Sequence, residues 1–243
     1  KLLEKSIYFP TKPLSLSGYL LRPELSGIIA EFKRRSPSKG IINAYAKPED
    51  VGLGYMKAGA SALSVLTDKA FFGGSNEDLI AARKVNYCPI LRKDFIIDEY
   101  QILEAKSIGA DAILLIAAIL TKAEIKQFAD LAHSLGLEVL LELHGEEELE
   151  KLYDGIKLVG INNRDLRDFS VDIKSSLNIG RLLPDTVVKV SESGISQVEN
   201  IQVLSEAGFQ GFLIGEAFMR QDNPAKACRN FISQVTVSYT HLT

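Results

Sequence analysis

Short apolar runs alternate with longer amphipathic stretches through most of the chain. The runs fall at 27–32, 62–66, 89–92, 112–117, 138–143, 158–161, 187–190 and 211–214, several of them almost continuous in Ile, Leu and Val. Strands covered on both faces read this way, whereas half-exposed strands alternate. Between them, segments 98–109, 121–136 and 196–208 carry apolar residues at three- and four-residue spacing and end on a glycine, which accepts the left-handed backbone of a helix terminus. Thr121 is the expected N-cap of the second.

Strand starts recur at the spacing of a βα unit, and eight strands alternating with eight helices predict an α/β chain folded as a single (β/α)8 barrel. An open doubly wound sheet would want a glycine-rich turn after its first strand. Here that strand runs into KRRSPSKG (33–40), with no GxGxxG. Residues 27–234 are assigned to the barrel. Residues 1–26, interrupted by Pro10, Pro13 and Pro23, form a short amino-terminal extension of loop and helical pieces, which either closes the amino-terminal end of the barrel or folds over its mouth. Lys1 is not a methionine, so a preceding segment is expected. Residues 235–243, VTVSYTHLT, lack helical periodicity and are expected to be a disordered tail, native or foreign.

Composition narrows the class. The 243 residues are 46% hydrophobic and 24% charged, an ordinary globular balance. Net charge is −3, which gives no general attraction for nucleic acid, and Lys33-Arg34-Arg35 reads as a solvated loop or a small-anion site. No apolar run reaches the ~18 residues of a membrane-spanning helix, and no signal peptide is apparent, so a cytoplasmic location is expected. Cys88 and Cys228 are far apart, and His133, His144 and His241 have no ligand spacing, so neither disulfide nor metal is expected.

In such barrels chemistry sits at the carboxyl ends of the strands. Those ends offer Glu31 and Lys33 on the first strand, Arg92, Lys93 and Asp94 on the third, and Glu142 on the fifth. The sixth ends in Asn162, Asn163 and Arg164, and the seventh in Glu192, Ser193 and Gly194. Side chains two apart share a strand face, so Glu31 and Lys33 point together, as do Asn162 and Arg164. Two lysines and an arginine imply an anionic substrate, and three glutamates among them allow proton transfer. No cysteine or Ser–His arrangement suggests acyl transfer. Glycines follow strands seven and eight, Gly194 and Gly215, where this fold often holds phosphate through backbone N–H groups; Glu216 beside them is expected to turn its carboxylate away.

At these residues the chain resembles the indole-3-glycerol-phosphate synthase family of tryptophan biosynthesis. IAEFKRRSPSKG (29–40) fits the family pattern E-x-K-x-x-S-P-S-x-G, and 62–67, 71–75, 90–95, 160–166, 190–196 and 212–215 match in order. The resemblance implies closure of an indole ring on 1-(2-carboxyphenylamino)-1-deoxyribulose 5-phosphate, with loss of CO2 and water and without a cofactor. It makes Lys93 the general acid and Glu142 its acid–base partner in the later dehydration. Lys33 would bind anionic groups and assist proton transfer, with Glu31 and Glu192 orienting it and the substrate. Ser36, Asn162 and Arg164 would hold the carboxylate or sugar hydroxyls, and Phe72, Phe95, Leu114 and Leu166 would line the aromatic pocket. Ser193, Gly194 and Gly215 would hold the phosphate. His144, two residues past Glu142, is expected to support the site from behind. The family carries a longer amino-terminal segment over the barrel mouth, so a weakened lid is expected here.

The preceding enzyme of that pathway, phosphoribosylanthranilate isomerase, would need a cysteine near the end of the first strand and an aspartate near the sixth. Glu31 and Lys33 stand at the first position instead. A barrel that binds sugar phosphates without turnover has no evident need for Lys33, Lys93 and Glu142 together. The expected partner is a small phosphorylated substrate, with no nucleic acid and no membrane. Monomer or homodimer, and association with other tryptophan-pathway enzymes, stay open.

Overall fold

The computed structural model describes residues 2–165 and 167–240, with the backbone alone for 236–240. Eight parallel strands close on one another: β1 (Ile28–Phe32), β2 (Ala62–Leu66), β3 (Ile90–Lys93), β4 (Ala112–Ile116), β5 (Glu138–Leu143), β6 (Leu158–Asn162), β7 (Val188–Glu192) and β8 (Gly211–Ile214). Helix α1 (Leu16–Leu20) precedes the barrel. Then α2 (Pro48–Ala58) follows β1, α3 (Asn76–Val85) follows β2, α4 (Glu99–Ile108) follows β3 and α5 (Lys122–Ser134) follows β4. Helix α6 (Lys174–Gly180) follows β6, α7 (Val198–Glu206) follows β7, and α8 (Glu216–Met219) and α9 (Pro224–Thr240) follow β8. The chain is a (β/α)8 barrel, as the apolar pattern predicts.

The strands are buried on both faces because each face has its own core. Ile29, Ala62, Leu91, Leu114, Leu140, Leu158, Val190 and Leu213 fill the barrel, while their neighbours Ile28, Leu63, Ile90, Ile113, Leu141, Val159 and Phe212 pack under the helices. The helices start and stop on local chemistry. Thr121 caps α5 in a reciprocal box with Glu124, and Asp98 does the same for α4 with Gln101; such caps are each worth about 1 kcal/mol. Gly109 ends α4 at φ 91°, a backbone that a side chain would resist.

Three boundaries differ from the sequence reading. The connection after β5 holds a 3-10 helix, Glu146–Lys151, rather than an eighth α-helix: Glu148 turns inward, and its carboxylate accepts the His144 N–H at 2.7 Å, which fixes a tight turn. Helix α9 runs to Thr240, through residues assigned to a disordered tail. Its packed face includes Val235, 2% exposed, with Ile232 and Cys228, and a helix once nucleated extends cheaply beyond its last anchor. Residues 241–243 lie outside the described residues. Strands β3, β6 and β7 also reach Lys93, Asn162 and Glu192, one or two residues past their apolar runs, because ladder hydrogen bonding continues where hydrophobicity stops.

The amino-terminal segment closes the bottom of the barrel. Leu16 and Leu20 of α1 join the interior cluster beside Ile29, Ala62 and Leu91. The carboxylate of Glu138, where β5 begins, accepts from the Ser15 and Ser17 hydroxyls and the Ser17 N–H, each at 2.7 Å. Asp111, just ahead of β4, accepts from the N–H groups of Leu14 and Ile90 and from Arg83. The amino-terminal end of the barrel is therefore plugged by apolar contact and pinned by charge-assisted hydrogen bonds. Leu16→Ala should lower unfolding stability by about 2–5 kcal/mol, the cost of a cavity at a fully buried leucine, while leaving substrate turnover unchanged below the unfolding transition; urea titration and an activity assay on one preparation check both.

Candidate active site

Strand parity decides which polar residues reach the barrel axis. Glu31, Lys93, Glu142, Asn162 and Glu192 continue the inward series of Ile29, Leu91, Leu140, Leu158 and Val190. They open into a cavity of about 510 Å³ at the carboxyl ends of the strands, the size of a small-molecule site. Of the other polar strand-end residues, Arg92 and Asn163 face outward. Arg92 is buried behind β3 against Thr67, Asn76, Asp94, Glu104 and the Gln101 carbonyl. Asn163 is tied behind β6 to Ser176 and Ser191 and to the Ser193 carbonyl.

At the centre, the Lys93 ammonium lies 3.1 Å from Glu142 and 3.2 Å from Glu192. Strands β3 and β7 are diametrically opposite in the barrel, so the four-carbon lysine stem spans the axis. Room for the Glu192 carboxylate comes from Gly160 on neighbouring β6: a Cβ there would sit 2.1 Å from Glu192 Oε1. Gly215 does the same for Glu31, at 2.6 Å. Glu31 in turn pairs with Lys33 at 2.7 Å and accepts from Ser64 Oγ at 3.3 Å. Nothing in the apolar pattern marks Gly160; only its place beside an inward glutamate gives it meaning.

Burial alone would lower the Lys93 pKa, but the carboxylates of Glu142, Glu192 and Glu31 outweigh it and hold the ammonium well above its usual range. Burial likewise pushes Glu142 up, and the attraction of Lys93 and then of His144 reverses this to about 2. Burial raises Glu192, Lys93 pulls it back, and the Glu142 charge adds to the rise, leaving it at about 8. The two carboxylates around one ammonium thus separate into an ionised acid and a proton holder. His144 continues the inward series of β5, with Nε2 3.3 Å from Glu142 Oε1.

One wall is aromatic. Phe95 packs with Phe71 at 5.8 Å and Phe72 at 6.2 Å between ring centroids, and Asp68 holds the Phe71 and Phe72 N–H groups. Leu114, Ile116 and Leu213 add apolar lining. Leu166 lies outside the described residues. Across the cavity, Ser193 and Gly194 follow β7 with φ of 67° and 75°. A left-handed serine is uncommon and costs of order 1–3 kcal/mol, and the adjacent Asn163 amide secures it by bonding its carbonyl. At Gly194 a Cβ would meet Val171 at 2.1 Å, so the turn admits only glycine. Gly215 and Glu216 complete this side.

Of the basic run, Lys33 alone faces the cavity centre. Arg34 makes a two-pronged pair with Asp78 at 2.5 and 2.9 Å, and Arg35 donates to the carbonyls of Ala70 and Phe71. Ser36 stands in the two-stranded hairpin Arg35–Ser36 with Gly40–Ile41, at the cavity rim. Arg164 reaches the Phe169 carbonyl at 3.2 Å and lies 3.8 Å from Glu216. This corrects the expectation that Glu216 turns away: with Arg164 across the mouth, its carboxylate has a nearer cation than solvent offers. Every site residue expected from sequence, Leu166 apart, lines this one cavity. Among the described residues no cluster could hold a metal ion and no helix is long and apolar enough to cross a membrane.

Comparison with known proteins agrees with this geometry. A chain of Bacteroides thetaiotaomicron named indole-3-glycerol phosphate synthase is 54% identical over 210 residues, covering 86% of this chain and 81% of that one. One of the same name from Carboxydothermus hydrogenoformans is 50% identical over 220 residues, covering 88% and 83%. Among solved structures, a chain from the tryptophan synthase a2b2 complex of Pyrococcus furiosus superposes with a TM-score of 0.63 at 15% identity over 88% of this chain and 99% of that one, a likeness of fold alone. The family model for indole-3-glycerol phosphate synthase matches residues 3–231, and the chain belongs to that family.

Proposed function

We propose that the cavity closes the indole ring of indole-3-glycerol phosphate with Lys93 as the acid and Glu142 as the base. The observation that carries this reading is the Lys93 ammonium held between Glu142 and Glu192 at 3.1 and 3.2 Å inside a cavity with an aromatic wall. The substrate's anthranilate ring lies against Phe72, Phe95 and Leu114, with Leu166 assigned to the same wall by sequence. Its phosphate is held by Ser193, Gly194 and Gly215, with the Glu216 backbone beside them, and Lys33 neutralises anionic charge. Ser36, Asn162 and Arg164 hold the carboxylate and sugar hydroxyls. Glu31 and Glu192 orient Lys33, Lys93 and the substrate.

The ring carbon bearing the carboxylate attacks the ribulose carbonyl carbon, and the carbonyl oxygen takes a proton from Lys93. The carboxylate departs as CO2, and its bonding pair restores the aromatic ring. Glu142 then accepts a proton from the CH2 beside nitrogen and delivers it to the new hydroxyl, which leaves as water. Positioning supplies much of the acceleration, since ring carbon and carbonyl must meet in line. The proposal includes action in the cytoplasm on a free small molecule, by a monomer or a homodimer.

Two measurements test the site. Lys93→Met should cut formation of the fluorescent indole product from 1-(2-carboxyphenylamino)-1-deoxyribulose 5-phosphate by about 100-fold or more, the weight of a positioned acid, while a reduced substrate analogue still binds; turnover at the unsubstituted rate would remove Lys93 from its role. The second is thermal. Glu192 at about 8 lies above its ordinary 4.5, so the folded chain binds the extra proton between those values and stability falls as pH rises through them. Glu142, near 2, acts oppositely: its contribution is full above 4.5 and is lost as pH falls toward 2. Glu192→Gln should therefore raise Tm above neutral pH and flatten its decline between about pH 5 and 8; circular-dichroism melts across that range decide it.

A further inference from the structure

The acid and the aromatic wall stand on different parts of the chain, and ring closure needs them at a fixed spacing. Lys93 ends β3, Phe95 lies in the β3–α4 connection, and Phe71 and Phe72 lie in the β2–α3 connection. Loops alone hold such a spacing poorly, whereas a shared buried anchor holds it well. The backbone of these residues is tied at both ends of the wall. The N–H of Phe95 donates to Asp94 Oδ1, and its carbonyl accepts from Gln101 Nε2, each at 2.8 Å. The Lys93 carbonyl accepts the Thr67 N–H at 3.1 Å. Thr67 leads directly into Asp68, whose carboxylate accepts the Phe71 and Phe72 N–H groups at 2.6 and 3.0 Å.

Asp94, Gln101 and Thr67 have one partner in common. The Arg92 guanidinium, 3% exposed, donates from Nε to Thr67 Oγ1 at 3.0 Å, from Nη1 to the Gln101 carbonyl at 2.7 Å and from Nη2 to Asp94 Oδ2 at 3.2 Å. Nη2 also reaches Glu104 Oε2 at 2.7 Å and Asn76 Oδ1 at 3.2 Å, which brings in α4 and the start of α3. The Thr67 hydroxyl joins two of these partners by donating to Asp94 Oδ2 at 2.5 Å. The planar, five-donor fork of arginine can serve so many acceptors from one place; a lysine ammonium offers three donors on a single atom.

We propose that Arg92 is the positioning residue that sets the aromatic wall against the Lys93 ammonium, so that the ring carbon of a bound substrate meets the carbonyl in line. Arg92 lies behind β3 and touches no substrate. It acts through Asp94 and Gln101 on Phe95. Through Thr67 it acts on the Lys93 carbonyl and on the turn that carries Phe71 and Phe72. Its hydrogen bonds all run to the β2 and β3 side of the barrel, so the glycine turns after β7 and β8 hold the phosphate independently of it. This rests on the reading of Lys93 and Phe95 given above.

The test measures kcat and KM by indole fluorescence for the unsubstituted chain, Arg92→Lys, Thr67→Val and Thr67→Ser, each shown by circular-dichroism melting to be folded at the assay temperature. Arg92→Lys should lower kcat about 100-fold, the loss that a misplacement of about 1 Å brings, with KM little changed because the phosphate end is still held. Thr67→Val keeps the shape but removes the hydroxyl that joins Arg92 to Asp94, and should lower kcat about 10-fold. Thr67→Ser keeps that hydroxyl and should retain the unsubstituted kcat. A brace serving stability alone would lower Tm and leave kcat of the folded variants untouched, and that result overturns the assignment. So does a rise in KM at unchanged kcat, or a Thr67→Ser variant as slow as Thr67→Val. Should Arg92→Lys fail to fold, the Thr67 pair decides. An unsubstituted chain without turnover would instead sink the functional reading and this inference with it.

Discussion

A lysine held across the barrel axis between two carboxylates is the constraint around which the rest of the site is arranged. Glu31, Glu142 and Glu192 share the interior with Lys33 and Lys93, one negative charge in excess. Buried charge of this kind costs several kcal/mol per ion unless paired. Burial, with the Glu142 charge adding to it, pushes Glu192 to about 8, while the attraction of Lys93 outweighs burial at Glu142 and holds it near 2. The arrangement also needs space where a packed barrel would have none. Gly160 and Gly215 supply it at the two inward positions where a methyl group would collide with Glu192 and Glu31.

Lys93, Asn162 and Glu192 each stand beside an outward-facing polar neighbour that braces the same strand end. Behind Lys93, Arg92 gathers Asp94, Glu104, Asn76 and Thr67, and Asp94 in turn accepts the Phe95 N–H that begins the aromatic wall. Behind Asn162 and Glu192, Asn163, Ser176 and Ser191 bond to one another and hold the left-handed Ser193 turn. Period-two alternation lets consecutive residues serve opposite faces, so a charged run at a strand end is half chemistry and half mounting. The plug at the other end, Leu16 and Leu20 with the Glu138 and Asp111 anchors, adds apolar burial that offsets what the charged rim loses.

Much of this was legible in the amino-acid order. Near-continuous apolar runs located the eight strands, parity paired Glu31 with Lys33, and the resemblance singled out Lys93 and Glu142. Three things escaped. The apolar runs alone stop short of Lys93, Asn162 and Glu192, which break the run without breaking the ladder. The six-residue EEELEK segment after β5 gave no sign that one of its glutamates would turn inward to fix a 3-10 helix. Gly160 and the approach of Glu216 to Arg164 are contacts between strands, set by register and loop path, which no single-strand pattern encodes.

Placing the acid on β3 and its second carboxylate on β7 also governs what the cavity accepts. The aromatic wall stands on the β2–β3 side and the glycine turns on the β7–β8 side, so a molecule with a ring at one end and an anion at the other must cross the lysine. In the function proposed above, its central carbonyl then lies over the ammonium. A ligand with only one of these ends would occupy half the cavity and leave Lys93 neutralised by its own glutamates. Binding energy from both ends therefore does one thing that neither end does alone: it brings the reacting carbonyl to an ammonium already held in place, so little reorganisation remains for the chemical step.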